Sequence, residues 1–439
     1  MSEVRYHSTR AAEGTPGVPF EEALLRGLAP DGGLYLPRPL LPLPQDWREA
    51  TSPADLAARI LPPYLGAARA DVEQAFRAAL DFPMPIEPLS RERYVLELFH
   101  GPTLAFKDVG ARSMARLMAV AADRRGRRAT VLVATSGDTG SAVADAFKGF
   151  DAVRVVLLYP EGRISEMQER QLAAARPGVQ AFRVRGSFDD CQRLVKGAFA
   201  DPALAPLGLS SANSINVGRL LPQALYYLWG ALQIERLRGR HEELDVCVPS
   251  GNLGNVTAGV LAAGMGWAAG RFLVAHNVND FFPDFLRSRA EAYAFRPTRA
   301  TLSNAMDVGA PSNFERLLAL AGEELPRMMW GASVDDAATL ERMRTSDRED
   351  GYLPCPHTAV GLEAVERYRR ESGEVKPVMV LATAHPSKFP DAVRRATGRE
   401  APRSEALDRL ASVPRNALPL APEPGALRDA LLALDDVSP

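Results

Sequence analysis

Short apolar runs alternating with amphipathic stretches constrain this chain more than anything else in it. The runs are Ala129–Ala134, Val153–Tyr159, Val179–Val184, Asp245–Pro249 and Pro377–Ala382. Each is too short for a helix buried on all sides and too apolar for a strand with one wet face, so each reads as a buried parallel strand. Between them, helical spacing covers Ser141–Phe150, Ser165–Ala175, Phe188–Ala200, Leu220–Leu237 and Thr257–Ala268. Parallel strands need crossovers, which are right-handed when a helix makes them. The pattern predicts an α/β protein with open, mostly parallel sheets covered on both faces, and about six strands imply more than one such unit.

Residues 1–95 follow another grammar. Ser52–Leu61 and Asp71–Leu80 are helical, and Pro62-Pro63 and Pro83-Met84-Pro85 interrupt them, which predicts a small helical cap with irregular connections. The chain has 439 residues, with 52 Lys plus Arg against 54 Asp plus Glu. Two or three domains fit that length at roughly 150 residues each. The balanced charge lacks the basic surplus that nucleic acid requires, and the run Asp123–Arg128 reads as a solvated helix end. The longest nearly apolar run, Val256–Gly270, is too short to span a bilayer. Cys191, Cys247 and Cys355 stand in no Cys-x-x-Cys spacing, and Met1–His7 has no apolar signal core. A reducing, cytoplasmic location is therefore expected, with neither membrane nor nucleic acid as partner. The six histidines show no metal-pair spacing and no Gly-x-Ser-x-Gly elbow occurs, so neither metal hydrolysis nor triad chemistry is expected.

Chemistry concentrates where strands hand over to helices. Ser250-Gly251-Asn252-Leu253-Gly254-Asn255 lies between Asp245–Pro249 and the next helix. Glycines let a ligand approach the backbone, and successive N–H groups at a helix N-terminus favour an anion. The spacing fits neither Gly-x-Gly-x-x-Gly nor a Walker loop, and an ordinary strand-to-helix turn would look the same. Thr135–Ser141 occupies the equivalent place after Ala129–Ala134. It could hold a carboxylate or phosphate, or simply cap the helix through Asp138 or Ser141. Two such turns at the carboxyl ends of parallel strands point to a ligand with two anionic groups. Phe99–Asp108 places one lysine, Lys107, among apolar residues. Such surroundings disfavour the ammonium and free the amine for Schiff-base chemistry, whereas a surface lysine at a helix start is the plain alternative. Ser211–Arg219 offers amides, hydroxyls and a guanidinium before an apolar helix: a site for a phosphorylated substrate, or a cap built on Ser214 or Asn213. Thr383–Phe389 puts a hydroxyl at the end of the last strand, and His385 there reads as structural.

Read in order, Leu98–Asp108 (LFHGPTLAFKD), Ala134–Gly140 (ATSGDTG), Ser211–Arg219 (SANSINVGR), Val248–Gly254 (VPSGNLG), Ser303–Asp307 (SNAMD) and Thr383–Phe389 (TAHPSKF) resemble the threonine synthases. These are pyridoxal-phosphate enzymes of the tryptophan-synthase-β fold group. Tyr6–Arg10 also resembles the family's opening, with Ala11 where a Gly often follows, and Asn255 stands where many members have Asp. The resemblance implies the α/β architecture known as fold type II: two open, mostly parallel sheet domains plus an N-terminal helical segment. Its larger, cofactor-binding domain would comprise residues 96–128 and 238–439, and a smaller mobile domain residues 129–237.

The resemblance further implies Lys107 as the lysine bonded to pyridoxal 5'-phosphate. Gly251, Asn252, Leu253, Gly254 and Asn255 would surround the cofactor phosphate with N–H groups. Thr383 would face the pyridine nitrogen, where many pyridoxal-phosphate enzymes place Asp or Arg, leaving the ring less strongly protonated. Ser136, Asp138 and Thr139 would meet the substrate carboxylate, and Asn213, Ser214, Asn216 and Arg219 its phosphate. The implied reaction converts O-phospho-L-homoserine and water into L-threonine and phosphate, with Lys107 serving several proton transfers and the smaller domain closing to exclude water. A phospho-lyase that turns phosphoserine or phosphothreonine into a 2-oxo acid would need the same residues. A catalytically silent relative would show a degraded lysine segment, and Leu98–Asp108 is intact. The expected partner is a small molecule, bound by a monomer or homodimer.

Overall fold

The computed structural model describes residues 3–126, 128–135, 137–162, 164, 166–288 and 293–436. At the start, β1 (Arg5–Ser8) and β2 (Tyr35–Arg38) pair antiparallel. The helices α1 (Pro53–Ile60) and α2 (Arg69–Ala79) follow, close to where the sequence puts them. Ser52 starts α1 by accepting a hydrogen bond from the Asp55 N–H. The buried Tyr6 hydroxyl donates to the Tyr64 carbonyl at 2.7 Å, which ties the small strand pair to this helical layer.

Two larger sheets form the body. In the six-stranded sheet the order is Met329–Ser333 (β11), Ala269–His276 (β10), Leu244–Pro249 (β9), Val378–Ala382 (β12), Arg93–Glu97 (β4) and Ile86–Leu89 (β3), parallel except for the β3–β4 pair. In the five-stranded sheet it is Ala417–Leu420 (β13), Val179–Val184 (β7), Val153–Pro160 (β6), Ala129–Ala134 (β5) and Leu209–Ser210 (β8), parallel throughout. The five apolar runs are β5, β6, β7, β9 and β12, and β5, β6, β9 and β12 are buried along their whole length.

Helix α3 (Lys107–Arg124) packs on α4 (Asp138–Phe147) and α6 (Val217–Arg238), with α5 (Phe188–Ala200) lying against the five-stranded sheet. Alanine and glycine on the buried face of α3 allow that close approach. Helix α7 (Gly254–Gly264) follows β9, α8 (Phe314–Ala321) packs on it, and α9 (Pro356–Ser372) covers the six-stranded sheet.

The chain's ends depart from the expected partition. Strands β3 and β4 begin the larger sheet at residue 86, inside the stretch expected to be cap. Residues after 238 do not all belong to the larger sheet either: β13 extends the smaller one, and Leu427 and Leu431 of α10 (Pro424–Asp436) join its core beside α5. A four-residue edge strand has too little periodicity to announce its partner, because pairing across hundreds of residues is a tertiary choice. Strand β10 also went unread. Its first three residues are not buried, which hides the apolar run behind them. The helix before it ends at Gly264 rather than Ala268, closed by the Met265 N–H.

Strands β9, β12 and β4 are neighbours. With adjacent strands about 4.8 Å apart, the three loops leaving their carboxyl ends fall within about 10 Å of one another.

Candidate active site

Lys107 opens α3, directly after the loop that leaves β4. That loop is stitched to the one after β12: the Phe106 N–H donates to the Thr383 carbonyl (2.9 Å), and the His385 N–H to the Leu104 carbonyl (3.1 Å). Leu104 takes a left-handed conformation (φ 57°), a strain held by those bonds. Asp108 braces the turn, its carboxylate accepting from the Thr103 N–H (2.9 Å) and hydroxyl (2.6 Å). A Cβ on Gly101 would lie 2.5 Å from the same carboxylate, so only glycine fits there. Burial pushes the Asp108 carboxyl up to about 6.

Burial also lowers the Lys107 amine below its ordinary range, while Asp138 pulls the other way. The amine stands 3.9 Å from Asp138 Oδ2. Asp138 begins α4, and its other oxygen, Oδ1, accepts from Lys388 Nζ at 2.6 Å. Burial works against ionising Asp138, but the Lys388 and Lys107 ammoniums overcome it and hold the carboxyl well below the usual range. His357 lies beside this group; burial pushes it down to about 3, and its Nε2 accepts from the Ala305 N–H at 3.1 Å. It is a neutral neighbour. Helix α4 is capped by neither Asp138 nor Ser141: the Thr135 hydroxyl accepts from the Gly140 N–H (2.9 Å) and the Gly137 N–H (3.2 Å). Thr139 sits in the first turn of α4, and Ser136 lies outside the described residues.

The glycine turn after β9 is held on all sides. A Cβ on Gly251 would lie 2.8 Å from the Met306 Cα, and one on Gly254 would lie 3.1 Å from Ser214 and Asn313 side-chain atoms. Leu253 is left-handed (φ 59°). The Asn252 side chain donates to the Ser214 hydroxyl (2.6 Å) and accepts from the Ser312 N–H (2.5 Å). Asn255 Oδ1 accepts from Tyr226 (2.6 Å) and Tyr227 (2.7 Å), so this side chain faces α6 and leaves its backbone N–H to the turn. The first N–H groups of a helix have no intrahelical acceptor, and here they meet a cradle too tight for Cβ atoms. That is the shape a phosphate fills. A largely buried amine whose basicity burial lowers and a buried Thr383, placed after the two neighbouring strands, complete what pyridoxal phosphate needs: an anion cradle, a nucleophile for its aldehyde and a hydroxyl for its ring. The residues present fit that cofactor.

Comparison with known proteins agrees. Residues 83–384 match the family of pyridoxal-phosphate dependent enzymes, residues 5–79 the threonine synthase N terminus, and residues 358–430 the threonine synthase C-terminal family. The threonine synthase of Serratia marcescens is 40% identical over 433 residues, covering 95% of this chain and 97% of the relative.

The chain belongs to the threonine synthase family.

The crystal structure of threonine synthase from Escherichia coli superposes with a TM-score of 0.89 at 36% identity, covering 98% of this chain and all of that one. Threonine synthase from Brucella melitensis, solved with pyridoxal phosphate bound, gives 0.88 at 36% identity over 98% of both chains. The fold is therefore fold type II, the enzyme class is a pyridoxal-phosphate-dependent lyase, and the phospho-lyase alternative gains no support. Among the described residues no helix is long and apolar enough to cross a membrane.

In this chain the polar segment before α6 divides its labour. Ser214 touches the glycine turn, accepting from both Asn252 and Asn313. Arg219 is buried in the first turn of α6, donates to the Ala212 carbonyl at 2.7 Å and leaves its Nε without a partner among the described residues. Burial lowers it to about 10. Asn213 is half-buried, its carbonyl accepting from the Asn216 N–H. Asn216, expected to hold substrate phosphate, has another task. It is fully buried, caps α6 by accepting from the Gly218 N–H, and donates to the Leu24 and Ser211 carbonyls at 2.8 Å each. Sequence reasoning missed Lys388, although it stands in a motif read only for Thr383 and His385. It also missed Arg316, whose buried guanidinium donates to the Ser214 and Ile215 carbonyls and so holds this segment. Nothing local marks Arg316, since an arginine one turn into a short amphipathic helix looks like a solvated one.

Proposed function

We propose that this chain converts O-phospho-L-homoserine and water into L-threonine and phosphate, with Lys107 carrying pyridoxal phosphate and moving the protons. One observation supports this reading above the others: the largely buried Lys107 amine follows the loop that leaves the carboxyl end of β4, one strand from that of Thr383 and two from that of the glycine turn. Gly251, Asn252, Leu253, Gly254 and Asn255 offer N–H groups to the cofactor phosphate, and Thr383 offers its hydroxyl to the pyridine nitrogen. When bound, pyridoxal phosphate supplies a conjugated ring that spreads the negative charge left at the substrate Cα.

The protein's own groups do the rest. The Lys107 amine takes a proton from Cα and then one from Cβ, which a weakly basic amine can both accept and give back near neutral pH. Phosphate leaves Cγ, a proton returned to Cγ makes the methyl group, water adds its hydroxyl at Cβ, and Cα is reprotonated. Two protons are removed and two returned, and the second proton of water leaves with the phosphate. The head of α4, with Thr139 and the N–H of Asp138, receives the substrate carboxylate together with Ser136. Asn213, Ser214 and Arg219 hold the departing phosphate, and Asn216 shapes their loop from behind. The three free, buried cysteines suit a reducing cytoplasm, where the chain works as a monomer or homodimer.

Two measurements test this. Borohydride reduction of the holoenzyme should fix the cofactor to Lys107, as read by peptide mass, and a label on another lysine removes the reading. Incubation with O-phospho-L-homoserine should release threonine and phosphate in equal amounts, whereas 2-oxo acid from phosphoserine or phosphothreonine as the main product would refute it.

A further inference from the structure

Two lysines share one carboxylate in this site, and only one of them has a role so far. Asp138 Oδ1 lies 2.6 Å from Lys388 Nζ, and Asp138 Oδ2 lies 3.9 Å from Lys107 Nζ. Lys388 Nζ also donates to the Thr103 carbonyl at 3.0 Å, in the turn that leads to Lys107. The Lys388 and Asp138 side chains are 2% and 3% exposed. A buried ion pair costs so much desolvation that it is poor material for stability alone. The chain also rarely uses lysine, at five of its 52 Lys plus Arg positions, and the other three are surface residues Lys148, Lys196 and Lys376. Where only a cation is wanted this chain mostly supplies arginine, so a buried, compact ammonium here is a feature to explain.

We infer that Lys388 is a positioning residue: its ammonium occupies one oxygen of Asp138 and so keeps that carboxylate from locking the Lys107 amine in its protonated form. The inference rests on the reading of Lys107 given above. The charge arithmetic supports it. The charged groups facing Lys107 are Asp138 and Asp108 on one side, Lys388 and Arg219 on the other, and His357, which also faces Asp138, is neutral. Two negative and two positive neighbours offset one another, which leaves burial as the influence that lowers the amine. Without Lys388 the surroundings carry one net negative charge, and that charge favours the ammonium. Lys388 thus serves the reaction through Asp138 and need not touch the substrate.

The scarcity of lysine makes the test direct. The full-length chain, grown with lysine carrying carbon-13 at Cε and stripped of cofactor, gives five side-chain signals. Those of Lys107 and Lys388 are identified by their loss in Lys107→Ala and Lys388→Met. Lys388→Met should move the Lys107 titration to higher pH, cutting the free-amine fraction at neutral pH roughly tenfold. In the holoenzyme the acid limb of kcat should move the same way. An unmoved Lys107 titration, or one moved to lower pH, overturns the inference. Should Lys388→Met fail to fold, Asp138→Asn gives a second route: it should lower the Lys107 titration, and adding Lys388→Met to it should then leave that titration where it is, because the carboxylate through which Lys388 acts is gone. A titration unmoved by Asp138→Asn, or raised again in the double variant, overturns the inference too. A borohydride label on another lysine defeats the underlying reading, whereas a label on Lys107 with an unmoved titration defeats this inference alone.

Discussion

The turns after β9 and after β5 are built to one plan, a parallel strand passing at its carboxyl end into a helix, yet they differ in what holds them. The turn at Gly251–Asn255 is backbone chemistry: its side chains are tied to Ser214, Ser312, Tyr226 and Tyr227, and its glycines sit where a Cβ would strike Met306 or Asn313. The turn at Gly137–Thr139 is side-chain chemistry, in which Asp138 reaches from the smaller sheet to two lysines carried by the larger. A rigid cradle suits a phosphate that never leaves. A bridge of charges suits the place where, on the proposed reading, an amine changes its protonation. The comparison teaches that equal topology does not fix whether a turn binds by shape or by charge.

Variants can break or sharpen that contrast. Lys107→Ala should reduce turnover at least about a thousandfold and abolish borohydride labelling, while phosphate still binds at the glycine turn; activity and peptide mass report both. Asp138→Asn leaves Lys388 buried without its counter-ion and should cost about 3 kcal/mol in denaturant unfolding at neutral pH. Because the Asp138 carboxyl is held low in the fold, its contribution is present above the usual carboxylate range and is lost as pH falls. The gap between the two proteins should therefore begin to narrow below roughly pH 4 and shrink further as pH falls. If the gap is the same at all pH values, the turn after β5 does not work by charge. Gly251→Ala should weaken cofactor affinity about tenfold or more in an absorbance titration, since the added Cβ would lie 2.8 Å from the Met306 Cα. Unchanged affinity would mean that the cradle is not shaped by its glycines. The smallest effect separates two neighbours. Asn216→Ala should destabilise by about 1 kcal/mol through the lost cap, whereas Asn213→Ala should leave stability within about 0.5 kcal/mol and raise KM instead.

Much of this was legible in the chain. Mostly apolar runs marked β5, β6, β9 and β12, because strands buried on both faces have little polar side to hide them; β7 was marked by its β-rich composition despite Gln180 and Arg183. The ordered segments around Lys107, Asp138, Ser214, Gly251 and Thr383 marked the loops at their ends, since a backbone cradle and a lone apolar-flanked lysine are local patterns. Edge strands were not legible. Strand β13 carries four residues with only Leu420 buried, and nothing in them says that the partner is β7 rather than β3. Nor could the tasks of neighbouring polar residues be told apart: Asn213 and Asn216 look alike in sequence, and only folding turns one toward Leu24 and Gly218.

By itself the sequence determined where five of the inner strands run, which turns carry the glycines and hydroxyls of a strand-to-helix handover and which lysine sits among apolar neighbours, because all three depend on residues a few positions apart. Tertiary structure alone decided that Lys388, 250 residues from Asp138, meets it at 2.6 Å in a place closed to water. The physical reason is that a charge's effect depends on distance and dielectric, and both exist only once the sheets are packed.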